Sequence, residues 1–188
     1  MTCAVAVEEE GGVWIATDSF LGDNSTRLTV DRPKWFIKGD VLFTYAGDVR
    51  AAQTVEHGSS FRKQKRSEND QDYLVGVVAK RVKECHIKGG FEEDPEVDYL
   101  IVYRGFVYTL QEGYALFRGR EGYAAIGSGE REARGALAAL EGLLSGEARV
   151  KQALKAVAKH STTVMPPFPT LFVPKARVRT RKQPSSAG

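Results

Sequence analysis

The sequence is poor in metal-binding and disulfide-forming residues. Its 188 residues include two cysteines, Cys3 and Cys85, and three histidines, with no CxxC pair and no metal-type Cys/His spacing. Structural zinc needs about four closely spaced thiolates or imidazoles, so neither a zinc module nor a disulfide scaffold fits. No metal or other cofactor is expected. So few cysteines point to a reducing, cytoplasmic setting. Long apolar runs are also missing: nothing approaches the ~20 residues of a membrane span. The opening MTCAVAVEEE has a short apolar run and no basic n-region, unlike a signal peptide. Net charge is only +3. Five basic residues and no acid fall in Lys175–Lys182, which leaves a body close to neutral. A general polyanion-binding surface is therefore not indicated, and neither nucleic acid nor membrane is an expected partner. No internal repeat is present.

The chain has the length and composition of one globular domain, read as residues 1–174. Residues 175–188 form a basic, Pro/Ser-containing tail read as flexible. Residues 3–7 and 13–17 are rich in Val, Ile and Ala around EEEGG, the pattern of a hairpin. KWFIKGDVLFTYAG predicts a second hairpin turning at Gly39-Asp40, and Asp48 predicts a helix N-cap. Leu74, Val77, Val78, Val82 and Cys85 form one helical stripe, ending at Gly89. Several short strands follow between glycine-containing turns. Then come a helix over SGEREARGALAALEGLL, with Ala133, Leu137, Leu140 and Leu144 on one side, a second helix, and a closing strand in PTLFVP. Strands outnumber those of one βαβ sheet, and the helices come in adjacent pairs. An α+β fold results, two sheets face to face with a helix pair outside each: an αββα sandwich.

The first hairpin carries the functional question. A three-residue turn at Glu9, Glu10 and Gly11 pairs Glu8 with Gly12. By extension it sets Val7 opposite Val13, Val5 opposite Ile15 and Thr2 opposite Asp18. In the second hairpin, Lys38 pairs with Val41 and Lys34 with Tyr45, which leaves Lys34 and the Gly47 amide at the same end of the sheet. A threonine hydroxyl becomes a nucleophile only when a base takes its proton. The α-amino group of the same residue, with a reference pKa of ~7.7–8.0, can be that base once residue 1 is removed. A lysine nearby favours the neutral amine, an aspartate holds the lysine, and a backbone amide at Gly47 can receive an oxyanion.

Each residue also has an ordinary role. Asp18 can end a strand, Lys34 can guard a sheet edge, and Ser128 in Gly127-Ser128-Gly129 can cap a helix. Cys85 reads as core, Cys3 as packed on the face opposite Thr2, and His57 and His86 as surface or helix-end histidines.

Taken together, Thr2, ATDS with Asp18, Lys34, YAG with Gly47, and AIGSG with Ser128 resemble the N-terminal-nucleophile (Ntn) hydrolases. The likeness is to the proteasome β-subunit and HslV-type peptidase branch, over roughly residues 2–174. The resemblance implies the Ntn-hydrolase αββα fold. It also implies that Thr2 attacks a peptide carbonyl, with Asp18 and Lys34 as a charged pair, Gly47 in the oxyanion hole and Ser128 beside the terminal amine. The family's late Asp-x-x-Ser falls on KHSTTVMPPF, with His160 in the aspartate's place and Thr163 in the serine's. The partners implied are a polypeptide substrate and further copies of the chain in a ring, with an AAA+ unfoldase compatible but named by no residue here. Two other readings keep the fold: an amidase or acylase acting on a small substrate, and a catalytically silent assembly protein.

Overall fold

Residues 3–7 are apolar on both faces, and the structure puts both faces under cover. A computed structural model describes residues 2–22 and 27–175; the tail reading therefore lies outside the described residues beyond Lys175. Strand β1 (Cys3–Glu9) pairs antiparallel with β2 (Gly12–Thr17). On one side Cys3, Val5, Val7 and Ala16 pack with Ala133, Leu137, Val150, Leu154 and Val157. On the other, Ala4, Ala6, Val13 and Ile15 meet Leu42, Leu100, Val102 and Ile126. A strand covered on both faces reads as a continuous apolar run rather than an alternating one. Val5 and Val7 are fully buried, each worth about 1.5–3 kcal/mol of apolar transfer.

The hairpin register differs by one residue from that expected. Glu9 pairs with Gly12, Glu8 with Val13, Val7 with Trp14 and Val5 with Ala16, so the turn is the two-residue Glu10-Gly11. Val5 and Ile15 accordingly lie on opposite faces. The cause is tertiary: a Cβ at Gly12 would overlap the Val173 carbonyl, so Gly12 lies in the sheet, where the last strand crosses it closely.

A small ribbon, β3 (Phe20–Gly22) with β4 (Arg27–Thr29), leads to the second sheet. That sheet runs in chain order through β5 (Trp35–Lys38), β6 (Val41–Gly47), β7 (Val97–Tyr103), β8 (Phe106–Leu110) and β9 (Leu116–Phe117). Its hairpin matches expectation: Lys38 pairs with Val41 across Gly39-Asp40, and the Tyr45 amide donates to the Lys34 carbonyl. The first sheet is completed by β10 (Tyr123–Gly127) and β11 (Thr170–Pro174), in the order β10-β1-β2-β11.

Helix α1 (Val49–Gly58) starts at Asp48, whose carboxylate accepts from the Ala51 amide at 3.1 Å. A continuous helical segment follows: α2 (Asp70–Tyr73), a π-helical stretch (Leu74–Ala79) and α3 (Lys80–Lys88). It packs Leu74, Val78, Val82 and Cys85 on Phe43, Tyr99 and Ile101 of the second sheet. Helices α4 (Glu130–Ala139) and α5 (Gly146–Ala158) cover the first sheet. The four layers are therefore α, β, β, α. Among the described residues no helix is long and apolar enough to cross a membrane.

One local expectation fails and one is narrowed. Helix α4 ends at Ala139, and Leu143 and Leu144 are exposed in the turn to α5, so the buried stripe stops at Leu137. His86 lies at the helix end, in the last turn of α3, but is buried rather than on the surface, with its ring nitrogens at 2.9 Å from the Tyr114 hydroxyl and 3.1 Å from that of Tyr99. One turn after Val82 and beside Cys85, it continues the apolar stripe. Burial pushes its pKa below the usual histidine value.

Candidate active site

Thr2 stands at the head of β1, where the two sheets meet, and is 2% exposed. Its carbonyl accepts from the Ser128 amide at 2.9 Å and from the Ser128 hydroxyl at 3.4 Å, which ties it to the end of β10. A Cβ at Gly127 (φ +92°) would overlap that carbonyl. Only glycine lets the two strand ends approach this closely.

Asp18 leaves β2 beside the head of β1. One carboxylate oxygen accepts from the Cys3 amide at 3.0 Å and the Lys34 ammonium at 2.9 Å; the other accepts from the Phe20 amide at 2.9 Å. Lys34 enters from the start of β5. Its Nζ meets three acceptors: Thr2 Oγ1 at 3.0 Å, Asp18 Oδ1, and the Phe20 carbonyl. An ammonium has three N–H donors and no acceptor, so all three are used. The Thr2 hydroxyl accepts from Lys34 and keeps its own proton for another partner. The Lys34 and Asp18 side chains are 3% and 0% exposed. Burial holds the lysine below its ordinary pKa, while the charge and hydrogen bond of Asp18 pull the other way.

Sequence register thus puts Thr2 near Asp18 by the wrong route and reaches the right neighbours. The hydroxyl and carboxylate are joined through Lys34 rather than as a facing pair. Gly47 (φ +112°) ends β6 opposite Val97 and lines the same cleft as Thr2. A side chain there would overlap the Glu96 carbonyl.

Ser128 is not a helix cap: Gly129 holds the N-cap position of α4, with no side-chain cap. Its hydroxyl is instead 3.0 Å from that of Thr163, which is 3.0 Å from that of Ser161. The structure thus brings Thr163 to Ser128 but leaves His160 apart. Its amide closes the last turn of α5 on the Val157 carbonyl, its side chain is exposed, and among the described residues no hydrogen bond reaches the imidazole. The next residue, Ser161, is bonded through its hydroxyl to the Thr163 hydroxyl and amide. Sequence reasoning missed it.

The cleft above Thr2 has a volume of about 930 Å³. It is also lined by the stretch DPEVD (Asp94–Asp98), which leads into β7, and by Glu112, which sequence reasoning missed. Run of acids plus proline was the available signal, but it reads equally well as a solvated loop. On the other side of β1, burial first, and then the charge of Asp18, push the Cys3 thiol up to about 12. It is no substitute nucleophile.

Sequence comparisons find nothing: no protein-family model and no curated protein matches the chain. Structural comparison gives a definite answer. BPH from Thiobacillus denitrificans, solved in complex with epoxomicin, superposes with a TM-score of 0.74 at 16% identity, over 93% of this chain and 100% of that one. The chain has the proteasome-like Ntn-hydrolase fold. HslV from Trypanosoma brucei matches with a TM-score of 0.65 at 14% identity, over 90% of this chain and 97% of its own. The Anbu complex of Pseudomonas aeruginosa, solved as a helical assembly, gives 0.66 at 15%, over 93% and 81%. At these identities the Ntn-hydrolase likeness concerns the fold; the chemistry has to be argued from the residues above.

Proposed function

We propose that the protein is a threonine peptidase subunit whose nucleophile is Thr2 Oγ. The observation that carries this reading is the buried lysine shared by Thr2 and Asp18, with both contacts at 3.0 Å or less. Once the bond before Thr2 is cut, its free amine takes the hydroxyl proton. The oxygen attacks the peptide carbonyl, and Lys34 stabilises the negative charge gathering on Oγ. The tetrahedral oxyanion is received by the Gly47 amide. The protonated amine then gives its proton to the leaving nitrogen, and an ester on Thr2 remains. Water, deprotonated by the same amine, hydrolyses that ester and restores the hydroxyl. Ser128, Thr163 and Ser161 form a chain of hydroxyls that fixes the Thr2 backbone and offers hydrogen bonds to its amine. Assembly with further copies of the chain is part of the proposal, supported by the assembled state of the Anbu neighbour.

The test is labelling with a peptide epoxyketone, of which epoxomicin is one. Its ketone takes the hydroxyl and its epoxide takes the amine of one residue, so nothing leaves and the adduct weighs as much as the whole inhibitor. The expected result is one adduct per chain, on a form whose first residue is Thr2, and none on Thr2→Ala. A folded protein that keeps residue 1 and takes no label would refute the mechanism.

A further inference from the structure

The cleft above Thr2 has a one-sided charge. Asp48, Asp94, Glu96, Asp98 and Glu112 all line it, and no lysine or arginine is among its twelve lining residues. None of these five carboxylates takes part in an ion pair among the described residues. Some acids elsewhere are paired: Glu8 with Arg118, Glu68 with Arg62, Asp18 with Lys34. Nor do the five converge on a metal, since among the described residues no group of three or more His, Cys, Asp or Glu is placed to hold one. They come from three places in the fold: Asp48 at the start of α1, Asp94, Glu96 and Asp98 around the start of β7, and Glu112 after β8.

Asp98 is tied to the Thr2 end of the cleft by register. It pairs with Ala46 across β6 and β7, so the two side chains share a face. Ala46 in turn lies beside Gly127, which abuts the Thr2 carbonyl. Burial, with Glu130 and Glu112 nearby, holds the Asp98 carboxyl above its usual pKa. Such a group gains from an incoming cation.

We infer that this cleft selects polypeptides with a lysine or arginine side chain on the acyl side of the scissile bond, Asp98 being its principal partner. This rests on Thr2 being the nucleophile. Charge-assisted pairing of a guanidinium with a half-buried carboxylate is directional as well as strong. A glutamate side chain in the same place faces repulsion from five acids, and a leucine gains burial but leaves Asp98 unpaired.

The experiment compares labelling rates, read by intact mass, for three peptide epoxyketones that differ only in the residue bearing the ketone: arginine, leucine and glutamate. The arginine probe is expected to label at least about tenfold faster than the leucine probe, a difference of about 1.4 kcal/mol, and the glutamate probe slowest. The arginine advantage shrinks as salt rises from 0.05 to 0.5 M, because the cleft is open to solvent. Asp98→Asn, with its fold checked by circular dichroism, reduces the arginine-to-leucine ratio at least about fivefold, and Glu112→Gln reduces it less. Equal arginine and leucine rates, or a ratio unmoved by Asp98→Asn, overturn the inference while leaving the nucleophile assignment intact. No label from any probe overturns both.

Discussion

Replacing Asp18 by asparagine keeps the shape of the side chain and removes its charge, which makes it a strict test of how the site is built. Three donors aim at the two carboxylate oxygens: the Cys3 amide and Lys34 at one, the Phe20 amide at the other. An asparagine has one acceptor oxygen. Whichever way its amide is turned, an NH₂ group faces a donor, and Lys34 is left as a buried cation without its counter-charge. Removing one partner of a buried, hydrogen-bonded pair costs about 3–5 kcal/mol, against a total stability of about 5–15 kcal/mol for a domain. In a chain of this length that lowers Tm by roughly 6–20 °C. The loss also depends on pH. Without Asp18 the folded-state pKa of Lys34, already below normal, drops further. The unfolded chain then binds more protons between that value and the ordinary lysine value, so the variant gains stability as pH rises through the window. Urea denaturation of both proteins at pH 6 and pH 9 reads both quantities: a large deficit at pH 6, smaller at pH 9. A variant within about 1 kcal/mol of the parent at pH 6 would refute the claim that a charged, fully satisfied pair holds the site together.

Three further predictions follow from the geometry. Gly127→Ala, which drives a methyl into the Thr2 carbonyl, should lower Tm and slow epoxyketone labelling at least about tenfold in the protein that remains folded. Gly113→Ala, at φ +68° with nothing within 4 Å of the added carbon, carries the backbone strain alone and serves as control; equal labelling rates in the two would disprove the close-approach argument. His86 has its pKa lowered by burial against the pull of Asp94 and Asp48. The unfolded chain is then the better proton acceptor, and stability should fall as pH drops below about 6.5. Thermal melts of His86→Phe should be less stable at pH 7, where two tyrosine hydroxyls lose their partner, yet flatter between pH 7 and 5; an unchanged slope counts against the buried ring. Cys3, its thiol pushed up to about 12, should resist iodoacetamide at pH 8 in the native protein and react on unfolding; native alkylation at the denatured rate would place it elsewhere.

What the sequence reveals depends on whether the deciding contact is local. Gly39-Asp40 fixes the second hairpin by itself, and with it the position of Lys34. Asp48 caps its helix through a bond three residues away. The first hairpin has no such local arbiter: EEEGG admits turns of two or three residues, and the choice is made by β11, packed on Gly12 from the far end of the chain. His160 was assigned to the site for a related reason. Whether a residue just after α5 faces the site depends on where the helix ends, and helix ends are uncertain by a residue or two. The acidic wall of the cleft was invisible because charge on a loop becomes informative only when the loop is known to face Thr2.

Strand order in the first sheet has a consequence in time. Residue 3 pairs with residue 127, and residue 16 with residue 170. The opening hairpin emerges first during synthesis, yet its two flanking strands emerge last. Pairings so distant in sequence close slowly and late. Ser128, which holds the Thr2 carbonyl, and Thr163, bonded to Ser128, lie in that same late stretch. On the mechanism proposed above, a growing chain carries its threonine unarmed until nearly all of the domain has been made, and the schedule of folding itself would keep a half-built chain from attacking its neighbours.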